Sequence, residues 1–165
     1  MAWLIPDEHI EQVEAAREIA LRRLDHSPAS RHMVAESLRK RDIDENIIDE
    51  VLERLENVGL INDLAYAQML VRERFRAKKV ARRALTDELQ RKGLNAHVIN
   101  QALEQLSSDD EWEAIQELVL ARATKLCHLD AQVRQRRLYG YLGRKGYSPS
   151  QIAAAIRWAE EQLQQ

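Results

Sequence analysis

The sequence is poor in the residues that break helices and in those that build strands. Its 165 residues include only five glycines, three prolines and one phenylalanine. Strands favour β-branched and aromatic runs bounded by turn residues. The long runs here consist of Ala, Leu, Glu, Arg and Gln, which are good helix formers. The sequence therefore predicts an all-α protein.

Other absences exclude whole classes of protein. No run of 18 apolar residues occurs, so a membrane-spanning helix is not expected. The first eight residues lack the basic and then apolar pattern of a secretory signal. A single cysteine, Cys127, excludes an internal disulfide and a multi-cysteine zinc site. These features predict a cytoplasmic protein with no membrane partner.

The sequence also lacks the common catalytic signatures. It contains no Gly-rich phosphate loop, no His-Glu-x-x-His and no Gly-x-Ser-x-Gly. Its histidines are expected at helix ends or on the surface; they are His9, His26, His32, His97 and His128. Because no convergent acid, base, nucleophile or metal ligands can be identified, we predict no catalytic residue, no metal site and no cofactor. The protein is predicted not to be an enzyme.

What the sequence does contain is one pattern that occurs three times. The segments 38–44, 89–95 and 142–148 align without a gap, and their starts lie 51 and 53 residues apart. Each has a basic helix end, a stop residue, an apolar residue and a residue that can cap a new helix. The stop and capping residues are Asp42 and Asp44, Gly93 and Asn95, and Gly146 and Ser148. A period near 50 residues is typical of helical repeat arrays, which mostly form binding surfaces.

Apolar periodicity and capping residues divide the chain into nine predicted helices. We expect three tandem three-helix repeats that form an elongated or curved array, with units at 1–62, 63–106 and 107–165. Ser27, Asp63 and Asp130 are predicted N-caps. The predicted helices cover about 6–24, 28–41, 45–57, 64–77, 80–92, 96–106, 111–126, 131–145 and 149–162.

The net charge of −2 conceals an uneven distribution of charged residues. The first unit has 8 basic and 14 acidic residues, the second has 9 and 5, and the third has 8 and 8. The middle unit is therefore the part that would attract a polyanion. Its nine basic residues fall within 21 positions and are predicted to contact DNA or a protein filament; they are Arg72, Arg74, Arg76, Lys78, Lys79, Arg82, Arg83, Arg91 and Lys92. The alternative is a solvated pair of helices whose charge is balanced by the acidic first unit.

A second, smaller basic patch is predicted in the terminal unit. It consists of Arg134, Arg136, Arg137, Arg144 and Lys145, with three tyrosines interleaved. Tyr147 occupies the apolar position of the repeat and is expected to be structural. Tyr139 and Tyr141 face opposite sides of a helix, so at most one of them belongs to the patch.

Several landmarks, taken in order, resemble the RecX family of regulators of the RecA recombinase. The resemblance covers about residues 15–160. The landmarks are Leu24-Asp25-His26-Ser27, residues 60–67, Val71-Arg72-x-Arg74, residues 89–94 and residues 142–148. Residues 77–81 depart from the family, which often has a Gly-Lys-Gly-Pro-like link there. Without those glycines, this elbow is expected to be more helical.

The resemblance implies a non-enzymatic regulator of DNA recombination and repair, connected with the SOS response. Such a protein would lie in the groove of the RecA–single-stranded-DNA filament and limit its assembly and activity. The sequence does not fix the oligomeric state, and a small monomer is the default expectation. The basic residues of the middle unit would then face the DNA or the filament wall. Two alternatives remain open: a stand-alone helical nucleic-acid-binding module, and a helical scaffold for another protein. The net negative charge favours weak affinity for naked DNA.

Overall fold

The computed structural model describes residues 7–165, which form nine α-helices and no strand. The prediction of an all-α repeat protein is confirmed. The helices are α1 (Glu8–His26), α2 (Arg31–Arg39), α3 (Glu45–Asn57), α4 (Asp63–Lys78), α5 (Arg82–Arg91), α6 (Ala96–Leu103), α7 (Ser108–Lys125), α8 (Ala131–Arg144) and α9 (Pro149–Leu163). The predicted start of the first helix, Pro6, lies outside the described residues.

Short polar side chains fix most of the helix starts. Asp44, Asn95 and Asp130 each accept a hydrogen bond from a backbone N–H in the first turn of the helix that follows. Ser107 and Ser148 go further and form reciprocal capping boxes with Asp110 and Gln151. Such caps satisfy backbone donors that a helix leaves without intrahelical partners.

Two predicted caps are wrong by one to three residues. Ser27 follows the end of α1, and Ser30 rather than Ser27 caps α2. Asn62 rather than Asp63 caps α4. Asp63 is instead the first helical residue, and its carboxylate accepts a 2.8 Å bond from the backbone N–H of Arg31. Both errors have one cause, because neighbouring polar residues offer similar local caps and long-range contacts decide between them.

Three hydrophobic clusters form the interior. The first lies among α1–α3 around Leu38 and Ile48, the second among α4–α6 around Leu85 and Ile99, and the third among α7–α9 around Leu142. Within the described part of the chain, the helices that pack extensively side by side belong to the same group of three. The unit boundaries at 62/63 and 106/107 stay predictions.

The groups meet mainly through helix ends, at equivalent positions of the repeat. The Ser30 hydroxyl donates a 2.6 Å bond to the carbonyl of Lys92. The backbone N–H of Ala81 donates a 2.7 Å bond to the carbonyl of Lys145. Ser30 and Ala81 each precede the second helix of their group, and the two lysines follow the second helix of the next group. The start of one unit's second helix therefore contacts the end of the next unit's second helix.

This junction explains the stop residues of the repeat. Gly93 and Gly146 have left-handed backbones, with φ of +80° and +94°. A Cβ on Gly93 would overlap the side chain of His32, and one on Gly146 would lie 2.5 Å from the backbone nitrogen of Ala84. Asp42 is also left-handed, at φ 57°, but it lies in the first unit, with no preceding repeat to pack on it. Glycine is thus required where a preceding unit packs closely.

The elbow between α4 and α5 differs from the sequence-based expectation. Lys79 ends α4 in the left-handed region at φ 53°, and α5 does not begin until Arg82. Residues 79–81 are therefore not helical, although the elbow lacks the glycine that a left-handed backbone favours. Among residues 7–165, no helix is long and apolar enough to cross a membrane.

Candidate nucleic-acid interface

Two basic side chains of the middle unit lie along one face of α4. Arg72 and Arg76 are one turn apart and exposed. They line a groove of about 640 Å³ between α4 and the start of α7, together with Met69 and Asp110. The Arg72 guanidinium also donates a 3.3 Å bond to the side chain of Gln105. Both guanidinium groups are accessible to a ligand in this groove.

The same face of α4 leads to the elbow, where the two predicted basic patches meet. Lys79 follows Arg76 by three residues and forms a 3.2 Å ion pair with Glu117 of α7. Lys145 of the terminal patch donates a 2.6 Å bond from Nζ to the carbonyl of Lys78. Burial, together with the charges of Lys78 and Lys79, lowers the pKa of Lys145. The structure thus brings lysines from two predicted patches into one cluster.

Three other predicted residues form internal contacts. The Arg74 guanidinium donates bonds of 2.8–3.1 Å to both oxygens of Glu88, and this pairing raises the pKa of Arg74. Arg82 donates a 2.6 Å bond to the buried carboxylate of Glu111. Arg83 donates a 3.2 Å bond to the carbonyl of Gly143. These contacts give the three arginines structural roles, and their part in binding stays a prediction.

The remaining predicted residues lie away from the elbow or on other parts of α8. Arg91 and Lys92 are at the end of α5, where the Lys92 carbonyl bonds Ser30. Arg134 donates a 3.3 Å bond to the carbonyl of Leu129 and lines a groove beside Cys127. Arg136, Arg137 and Arg144 are exposed on α8. The predicted residues therefore do not form one continuous surface.

Sequence reasoning missed two cations that complete the cluster at the elbow. Arg122 and Lys125 are exposed in the last turn of α7 and line a groove of about 240 Å³ with Lys79, Glu117 and Tyr141. Their spacing of three residues indicates a shared helix face, but only the fold directs that face toward the elbow. We call Lys78, Lys79, Arg122, Lys125 and Lys145 the elbow cluster.

Comparison with known proteins identifies the family of this chain. Models of the first, second and third three-helix domains of RecX match residues 16–55, 62–103 and 109–156. The chain belongs to the RecX family. The elbow cluster therefore joins two RecX domains, because Lys78 and Lys79 lie in the second match and Arg122, Lys125 and Lys145 lie in the third.

Individual relatives agree with the RecX assignment. The chain is 45% identical over 152 residues to the regulatory protein RecX of Streptomyces coelicolor, covering 92% of this chain and 81% of that protein. It is 40% identical over 149 residues to the RecX of Mycobacterium ulcerans, covering 89% and 85%. The crystal structure of RecX from Lactobacillus salivarius superposes with a TM-score of 0.83 at 24% identity, covering 92% of this chain and 98% of that one. That structure shows the same fold.

Proposed function

We propose that this protein is a non-enzymatic regulator of homologous recombination and DNA repair. It binds the RecA–single-stranded-DNA filament and mostly inhibits the assembly and activity of that filament. Membership of the RecX family of regulatory proteins supports a RecA-related partner. The proposal includes a monomeric protein that acts in the cytoplasm.

The observation that carries the proposal is the meeting of cations from two repeats at one elbow. Arg72 and Arg76 line a groove along α4, and the elbow cluster lies beyond its end. Cationic side chains placed along one surface suit a ligand with regularly spaced negative charges, such as a DNA strand.

The charge distribution favours a nucleoprotein filament over naked DNA as the partner. The first unit is strongly acidic, and the whole chain has a net charge of −2. A long polyanion alone would be repelled by the first unit, whereas a filament offers both protein surface and DNA. The alternative, a stand-alone nucleic-acid-binding module, predicts tight and steeply salt-dependent binding to DNA without any recombinase.

The test is the DNA-dependent ATPase activity of the RecA protein from the same organism. The recombinase is assembled on single-stranded DNA, and this protein is added at micromolar concentration. We expect the ATPase rate and the amount of filament, followed by anisotropy of labelled DNA, to fall. An ATPase rate and a filament signal that both stay unchanged would refute the proposal.

A charge-neutralising variant tests the surface itself. Arg72→Gln together with Arg76→Gln removes two exposed cations from the α4 groove, so inhibition should require a higher protein concentration. Arg17→Gln is the matched control, because Arg17 is a similarly exposed arginine on the acidic first unit. If the double variant inhibits as well as the control, the filament contact must lie elsewhere.

A further inference from the structure

Two cations of the elbow cluster lie against one aromatic ring. The guanidinium carbon of Arg122 lies 4.7 Å from the ring centroid of Tyr141, and the ammonium nitrogen of Lys145 lies 5.8 Å from it. Both distances are within the range of cation–π contacts. Tyr141 thus holds one cation from α7 and one from the residue that follows α8, beside the elbow of the preceding unit.

The charges of this cluster are poorly balanced. Lys79, Arg122 and Lys125 line one groove, and Glu117 is the single carboxylate among the described residues that line it. Lys78 and Lys145 add two more positive charges, and the lowered pKa of Lys145 reports burial and the repulsion from Lys78 and Lys79. Three cations therefore share the groove with one carboxylate and two more lie beside it, so the local potential favours an anion.

The geometry also suits a particular kind of anion. A guanidinium group that lies against a ring keeps its N–H edges available for oxygen acceptors, and those edges match the oxygens of a phosphate. The lysines supply point charges on the other sides. Each phosphodiester of a DNA backbone carries one negative charge on its oxygens, so consecutive phosphates could pair with several of these side chains.

We propose that the elbow cluster is a binding site for the backbone phosphates of single-stranded DNA, with Arg122, Lys125 and Lys79 as its principal ligands. The inference deepens the proposed function, on which it rests for the source of the phosphates. Because the ligands come from two repeats, bound DNA also holds these repeats in their observed arrangement. The bond between the Ala81 N–H and the Lys145 carbonyl, 2.7 Å long, lies at this junction and reports that arrangement.

The first experiment measures binding of a labelled oligo-dT to the full chain at several low salt concentrations, without recombinase. Neutralising two phosphate ligands should reduce the slope of log K against log salt by about 1.4, since each contact to a single strand contributes about 0.7. We therefore expect the variant Arg122→Gln/Lys125→Gln to lose affinity about tenfold at low salt and to show this shallower slope. Arg157→Gln, which neutralises an exposed arginine on α9, is the matched control and should bind like the unchanged protein.

Two further arms identify the ligand chemistry. An oligonucleotide with abasic sites should show the same loss in the double variant, because the cluster contacts phosphates and not bases. Arg122→Lys/Lys125→Arg keeps both charges and should retain the original salt slope. A double variant that matches Arg157→Gln in affinity and slope would overturn the assignment. So would the loss of binding with abasic DNA, or the absence of any oligo-dT binding at low salt, in the unchanged protein.

The last measurement follows hydrogen exchange of the Ala81 amide. Saturating oligo-dT should slow this exchange in the unchanged protein and in Arg157→Gln, because a ligand that bridges two repeats stabilises their junction. Exchange that is equally fast with bound DNA would overturn the bridging role. None of these assays contains RecA, so their failure is distinct from a failure to inhibit the recombinase.

Discussion

The phenol of Tyr147 donates a 2.8 Å hydrogen bond to the main-chain carbonyl of Lys79, 68 residues earlier in the chain. Tyr147 is fully buried, whereas Lys79 has a left-handed backbone at the elbow between α4 and α5. In the same region, the ammonium group of Lys145 donates to the carbonyl of Lys78, and the carbonyl of Lys145 accepts from the backbone N–H of Ala81. The third repeat thereby fixes the elbow that carries the cations of the second.

Tyr147→Phe should destabilise the protein by about 1–2 kcal/mol, because it leaves the Lys79 carbonyl without its buried donor. Urea denaturation followed by circular dichroism measures the loss. Tyr139→Phe is the control, since the Tyr139 side chain is 41% exposed and its hydroxyl can bond water. Equal stability of the two variants would contradict the structural role of the Tyr147 hydroxyl.

The same residue should make stability depend on pH in the alkaline range. Burial raises the pKa of the Tyr147 phenol above its usual value near 10. The native state therefore keeps the phenol proton at pH values where the unfolded state releases it. The contribution of Tyr147 to the free energy of unfolding is complete below about pH 10. It declines at higher pH, by at most about 1.4 kcal/mol per pH unit. Tyr147→Phe removes the decline. We expect the stability difference between the two proteins to narrow between about pH 10 and 11, and a constant difference would be evidence against this coupling.

Alanine substitutions at two glycines separate backbone strain from steric overlap. Gly59 has φ +79° with nothing near its missing Cβ, whereas a Cβ on Gly146 would meet the backbone of Ala84. Gly59→Ala should cost about 1 kcal/mol, from the left-handed backbone alone. Gly146→Ala should cost about 3 kcal/mol, because overpacking at the repeat junction is added. Thermal and urea unfolding measure both, and similar losses would mean that the junction adjusts easily.

Arg82→Ala should reduce stability through Glu111. The Glu111 side chain is 4% exposed, and Arg82 is its ion-pair partner, at 2.6 Å. Removal of Arg82 leaves a buried carboxylate with a poor partner, at a cost of about 1–3 kcal/mol. The loss should shrink when Arg82→Ala is made in a Glu111→Gln background, because the buried charge is then absent. Independent, additive effects of the two substitutions would disprove the coupling.

Lys79→Gly should be tolerated better than Lys79→Ala by about 1 kcal/mol. Glycine adopts the left-handed backbone of this position without a Cβ penalty, whereas alanine keeps that penalty. Both variants lose the ion pair with Glu117, whose side chain is 69% exposed, so that loss is small and the same in both. Urea midpoints decide the order, and a more stable alanine variant would mean that the elbow relaxes out of the left-handed region.

Local signals explain why much of the fold could be predicted. The repeat at Leu38, Leu89 and Leu142 combines a helix end, a stop and a cap within seven residues. The stop glycines, Gly93 and Gly146, have the left-handed backbone that commonly ends a helix. The predicted cap of α2, Ser27, is wrong, because Ser30 is selected by its bond to the carbonyl of Lys92, 62 residues away.

The candidate site could be predicted only in part. The helical spacing of Arg72 and Arg76 follows from the sequence, and both are exposed along α4. The internal pairing of Arg74 with Glu88 and of Arg82 with Glu111 joins residues 14 and 29 positions apart. No local pattern distinguishes such arginines from those that face solvent.

The sequence by itself determined the helices, their stops and their threefold repetition, because caps, periodicity and backbone preferences act between residues a few positions apart. The tertiary structure decided which cations are used internally and which gather at the elbow. The physical reason is that the Lys145–Lys78 and Tyr147–Lys79 bonds, across 67 and 68 residues, exist only once the second and third repeats pack together.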